Sequence, residues 1–148
     1  MVYRGHKAHR QVVFTLLTTA IAMTTALIIT LIYFHPRPFM IHLGHTWIYH
    51  ASETSFPSGH ATFFFSIALG LFISGNKIWG FVVFIMSLLV GWARVFLGVH
   101  FPFDIIGAFF VVCFSIIIAL SIWNKIGVRL TKACEGISKR LFYGYPQD

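Results

Sequence analysis

VVFTLLTTAIAMTTALIITLIYF, residues Val12–Phe34, decides the fold class, because it runs 23 residues without one charged side chain. A helix needs roughly 20 apolar residues to cross the hydrocarbon core of a bilayer. The run is too long for a signal-peptide core and no small-residue cleavage site follows it, so it reads as a retained membrane helix. Thr18, Ala22, Ala26 and Thr30 recur four apart within it, forming a small-residue ridge on which a second helix can pack. The plainer reading is that threonine is simply tolerated in a membrane helix.

Outward from that stretch lie three more apolar segments, at about Ala61–Ser74, Ile78–Phe96 and Ile105–Trp123. The first of these is short, and spans only if Phe56–His60 adds to it. Of the 148 residues, 57% are hydrophobic and 10% charged, with mean hydropathy +0.81, more apolar surface than a soluble domain of this size can bury. An all-α polytopic membrane bundle of about four transmembrane helices is expected. Residues 1–11 form a basic cytoplasmic N-terminus, 12–123 the membrane domain with an exterior loop at 35–57, and 124–148 a basic cytoplasmic tail. Cys113 lies in an apolar run and Cys134 in the basic tail, which argues against a disulfide framework.

The net charge of +7 does not imply a nucleic-acid partner, because the cations cluster at the chain ends beside apolar runs, as membrane anchors do. With four crossings, Arg4, Lys7, Arg10, Lys77, Lys125, Arg129, Lys132, Lys139 and Arg140 share one side, expected to be cytoplasmic. The other side of a cell membrane then receives Arg37 and Arg94, Glu53, Asp104 and six of the eight histidines. Ionisable groups at membrane depth are functional candidates by default.

Three constellations meet on that outer face. HPRPF at His35–Phe39 holds Arg37 between two prolines, in an extended setting. SFPSGH at Ser55–His60 offers Ser58 as a helix cap, Gly59 as a point of close backbone approach, and helix-start N–H groups as an anion site. ARVFLGVHFPFD at Ala93–Asp104 carries Arg94, His100 six residues on, and Asp104 four further. Arginines match phosphate oxygens in bidentate geometry. A histidine held by a carboxylate suits a nucleophile or base, and a second histidine can protonate a leaving oxygen. With no compact carboxylate cluster for magnesium, the arginines must neutralise the phosphate, and no metal or cofactor is expected. Each piece has a bland alternative: an ordinary turn for Pro57–His60, snorkelling for Arg37, an N-cap for Asp104, interfacial histidines, or a metal set from His42, His45 and His50. Their joint spacing on one membrane side favours the functional reading.

Arg37-Pro38, Pro57-Ser58-Gly59-His60 and Arg94…His100…Asp104 match, in order and spacing, the three-part signature of the type 2 phosphatidic acid phosphatases, and residues 30–123 resemble that family. HPRPF, the His-rich loop and the SFPS entry look most like its undecaprenyl pyrophosphate phosphatases of the bacitracin-resistance type. The resemblance implies His100 as a nucleophile forming a phosphohistidine, Asp104 as its orienting group and His60 as general acid. It also implies Arg37, Arg94, Ser58 and Gly59 as phosphate ligands. The implied reaction is hydrolysis of a polyprenyl diphosphate to the monophosphate, recycling the carrier lipid of cell-wall synthesis. Alternatives are phosphatase or phosphotransferase action on another lipid phosphate, such as phosphatidate or phosphatidylglycerophosphate, and a catalytically impaired membrane scaffold. The chain departs from the family pattern in three ways. Thr30 stands where the signature has lysine, Ala93 where it has serine, and four helices are read where members usually have six. A minimal form, a shortened gene product, or reliance on a homo-oligomer or partner helices would account for the last.

Overall fold

A computed structural model describes the backbone of residues 2–43, 46–48 and 51–142, and the side chains of 7–43, 46–48 and 51–137. Four helices follow one another: α1 (Val2–Ile32), α2 (Gly59–Ile73), α3 (Lys77–Phe96) and α4 (Pro102–Phe142), with a 3-10 turn at Pro38–Ile41 between the first two. No strand occurs among the described residues. Lys7–Ile32, Lys77–Phe96 and Pro102–Ile137 are each long and apolar enough to cross a membrane, while α2 has 15 residues. At 1.5 Å per residue α2 covers ~22 Å of a hydrocarbon core ~30 Å thick. Of the Phe56–His60 stretch that spanning requires, Gly59 and His60 join the helix and Phe56–Ser58 enter it as loop.

Two helices outrun their apolar segments. The fourth segment ends at Trp123 and a separate basic tail was expected, yet α4 continues for 41 residues in all. Nothing after Trp123 breaks it: Lys125, Arg129 and Lys132 are good helix formers and no proline intervenes before Pro146. α1 likewise begins at Val2, ten residues before its apolar run. Hydropathy marks where the solvent changes, and the helices pass through that point.

The bundle is organised around α2, which packs against the other three helices, while α1 also packs on α4 and α3 barely meets α4. The small-residue ridge of α1 is the contact surface: Thr18, Ala22 and Ala26 are buried. Ala22 joins Ala61, Phe65, Ala108, Val112 and Ile116 in one cluster. Small residues bring the backbones close, and dispersion between them supplies the association that lipid, as apolar as leucine, cannot drive. Ile32 and Ile78 are 78% and 77% exposed, tolerable where lipid rather than water covers them.

The chain reverses between α2 and α3 through a Schellman turn, with Gly75 at φ 95° and bonds from Gly75 N–H to Phe72 O (3.2 Å) and Asn76 N–H to Leu71 O (2.9 Å). Gln11 Nε2 donates to Ser74 O across 3.4 Å, so this turn and the Lys7–Gln11 stretch share one end of the bundle. The polar loops gather at the other end.

Candidate active site

Four helix ends build the site. A second Schellman turn closes α3, with Gly98 at φ 71° and Val99 N–H on Arg94 O (3.3 Å), and it sends the chain through His100 directly into α4. Asp104 sits in the first turn of α4, where a carboxylate is favoured by the helix dipole. Its Oδ2 accepts the Phe101 N–H at 2.7 Å, reaching back from the third helical position, so Asp104 is not the N-cap of the bland reading although it satisfies a donor at the helix start. The same oxygen lies 3.4 Å from His100 Nδ1 and accepts the Ser55 hydroxyl, so the carboxylate also stands beside that imidazole. The Ser55–Ser58 loop is fastened to α4 a second time by Ser58 N–H on Asp104 O (3.2 Å).

Arg37 is 5% exposed and forms the centre of the loop structure. Its Nε donates to Glu53 O (3.1 Å), Nη2 to Thr54 O (3.1 Å), and Nη1 to Val99 O (3.0 Å). Nη1 also stands 3.3 Å from His100 Nε2. A guanidinium has five N–H groups and no acceptor, so four of the five are engaged by the protein. Because Arg37 can only donate, Nε2 must present its lone pair, which puts the proton of a neutral His100 on Nδ1, facing Asp104 Oδ2 and Ser55 Oγ. Burial, and after it the charge of Arg94, lowers the Arg37 pKa from its usual value, against Glu53 and Asp104. The His100 pKa is lowered chiefly by burial, with Arg37 and Arg94 adding to that and Asp104 opposing it.

The expected site residues do converge. A cavity of about 680 Å³ is lined by Arg37, Gly59, His60, Arg94 and His100, with Glu53, Thr54 and Pro57 beside them. His60 is exposed at the start of α2, and Arg94 is half-buried in the last turn of α3. Asp104 and Ser58 are fully buried outside that lining. Ser58 occupies the N-cap position of α2 without making the side-chain cap bond expected of it, and its hydroxyl has no hydrogen-bond partner among the described residues. The cavity runs on along α1 past Met23, Ala26, Leu27, Thr30, Leu31 and Phe34, so Thr30 lines it at the position of the family's lysine. A second cavity, of about 510 Å³, lies at the other end among Lys7, Arg10, Phe14 and Trp123, and among the described residues its lining has cations but no histidine or carboxylate.

The sequence did not single out Ser55 or His35. Ser55 Oγ contacts both His100 and Asp104, and His35 Nδ1 stands 3.6 Å from Asp104 Oδ1. Their membership of the SFPSGH and HPRPF runs was the available signal. Among the described residues no three His, Cys, Asp or Glu side chains group as a metal site. Of the metal set weighed from the sequence, His42 is exposed, and His45 and His50 lie outside the described residues.

The segment that carries this polar constellation lies within residues 11–127, which the PAP2 superfamily pattern matches. The chain belongs to the PAP2 superfamily. It is 33% identical over 131 residues to the putative undecaprenyl-diphosphatase YbjG of Escherichia coli (strain K12), covering 85% of this chain and 64% of that one. It is 37% identical over 108 residues to the undecaprenyl-diphosphatase BcrC of Bacillus subtilis (strain 168), covering 72% and 55%. The chain thus spans about three fifths of the length of these curated relatives. No solved structure matches it. Within this PAP2 chain the family-matched segment takes in all four helix ends that carry the site.

Proposed function

We propose that the chain hydrolyses a polyprenyl diphosphate to the monophosphate and inorganic phosphate, through a phosphohistidine on His100. The observation that carries this reading is the two-sidedness of the larger cavity. Arg37, His60, Arg94 and His100 stand at one part of it, and the apolar side chains of Met23, Leu27 and Leu31 continue along α1. A lipid with a phosphorylated head fits both parts. The relatives named as undecaprenyl-diphosphatases support the diphosphate within that class.

In this mechanism His100 Nε2 attacks the terminal phosphorus and the bond from that phosphorus to the bridging oxygen breaks. The prenyl monophosphate leaves, taking a proton from His60 as its basicity requires. Water, giving its proton to His60, then attacks the phosphohistidine; the P–N bond breaks and phosphate departs. Arg94, the α2 start and the fixed charge of Arg37 stabilise the equatorial oxygens in both steps. Arg37 acts mainly by holding the loop and by its field, since four of its N–H groups are already bound.

We place the site on the exterior or periplasmic face of the cell membrane and both termini in the cytoplasm, because nine of the eleven lysines and arginines fall toward the end opposite the site. Phosphate release by the purified protein on a panel of long-chain prenyl diphosphate, phosphatidate and phosphatidylglycerophosphate tests the reading, with His100→Ala as control. The prenyl diphosphate should be turned over fastest. Faster release from phosphatidate would move the activity to another lipid, and no release above the control would leave a scaffold.

A further inference from the structure

Asp104 Oδ2 can only accept hydrogen bonds, so the Ser55 hydroxyl in contact with it must donate. With its single proton committed there, Ser55 Oγ offers only lone pairs to His100 Nδ1, 3.4 Å away. Both oxygens beside Nδ1 are therefore acceptors, and the neutral imidazole is held with its proton on that nitrogen and its lone pair on Nε2. Ser55 has no solvent exposure, so bulk water does not compete for either contact. Its position is fixed from both sides. Ser55 N–H donates to His35 O at 2.7 Å, and the preceding Thr54 carbonyl is held by Arg37. The following Phe56 ring lies over Gly107, where an added Cβ would clash with it. Ser55 does not line the cavity, so it reaches the chemistry only through its two partners.

We propose that Ser55 is a positioning residue of the His100–Asp104 pair, its hydroxyl aiming the carboxylate and keeping Nε2 as the nitrogen that meets phosphorus. This rests on the reading of His100 as the nucleophile. The outer relation is that of a triad in which the third group orients the second. A serine that only filled space would be replaced by alanine with little effect on kcat.

The test is a double-mutant cycle of Ser55→Ala and Asp104→Asn, with kcat and KM for phosphate release measured in one detergent and thermal unfolding followed alongside. Ser55→Ala should lower kcat roughly tenfold or more, the scale of one hydrogen bond to a charged group, with KM changed less than about twofold. In the Asp104→Asn background the same change should cost less than about threefold, because the hydroxyl acts through the carboxylate. Ser55→Cys, a weaker donor of similar size, should fall between serine and alanine, and it carries the same comparison if the alanine variant does not stay folded. An unchanged kcat, a change confined to KM, or an undiminished loss in the Asp104→Asn background would each overturn the proposal. Wild-type protein no faster than His100→Ala would bring down the reading of the whole site; an active wild type matched by Ser55→Ala would bring down only this inference.

Discussion

Arg37 Nη1 lies 3.3 Å from His100 Nε2, so the guanidinium meets the nitrogen proposed to attack phosphorus. Arg37 also carries three backbone carbonyls, those of Glu53, Thr54 and Val99, from two segments at the site end of the bundle. Lysine cannot reproduce that fork. Arg37→Lys should therefore lose stability as well as activity, by about 3 kcal/mol, because three carbonyls, the buried one of Val99 among them, lose a charged donor. Thermal unfolding in detergent measures it. A variant as stable as wild type but with raised KM would make Arg37 a substrate ligand and not a strut.

The pH dependence follows from His100. Burial first, then the charges of Arg37 and Arg94, hold its pKa below the ordinary imidazole value of about 6.5, and Asp104 works against them. Attack needs the neutral ring, so kcat/KM should fall only as pH drops through a value under about 6.5. Stability has the same sign. The contribution of a depressed imidazole is fully present above its unfolded value and is lost as pH falls through the folded one. Asp104→Asn removes the group that raises the pKa, so the acidic limb should move lower while kcat drops. An acidic limb above pH 6.5 in wild type would contradict the burial account.

With His60 as the proposed general acid, substrates should separate by leaving group. A lipid monophosphate expels an alkoxide, whose conjugate acid is about as weak as water at pKa ~16. A prenyl diphosphate expels a phosphate monoester with a second pKa of roughly 6, which leaves near neutral pH with little help. His60→Ala should damage monophosphate turnover far more than diphosphate turnover, while His100→Ala damages both. The comparison is kcat/KM for both substrates in both variants. Equal losses in His60→Ala would make His60 a phosphate ligand.

How much of this was legible in the sequence differs by residue. Arg37, Ser58, Gly59, His60, Arg94, His100 and Asp104 could be named because their types and spacings are unusual beside apolar segments, and the structure brings them to one end of the bundle. Ser55 could not, because its partner Asp104 is 49 residues away and a serine two residues before a proline reads as any turn. The structural use of Arg37 was hidden too, since the carbonyls it binds belong to backbone that any sequence would supply. The lengths of α1 and α4 were missed because the criterion was hydropathy, while Lys125, Arg129 and Lys132 continue a helix as readily as leucine does.

Membrane orientation is checked with a cysteine at an exposed position in the segment between α1 and α2. The Thr46 hydroxyl is buried, so exposed Ser52 is the better choice. Ser52→Cys, in a background with Cys113 and Cys134 replaced, should react with a membrane-impermeant thiol reagent in intact cells. Labelling only after lysis would reverse the topology.

The central claim is that His100 carries the phosphoryl group, and rapid quench with substrate labelled at its terminal phosphate tests it most directly. The account predicts a phosphoenzyme that is acid-labile and alkali-stable, that forms more slowly in Asp104→Asn, and that is absent from His100→Ala. A phosphoenzyme of undiminished yield in His100→Ala would contradict it.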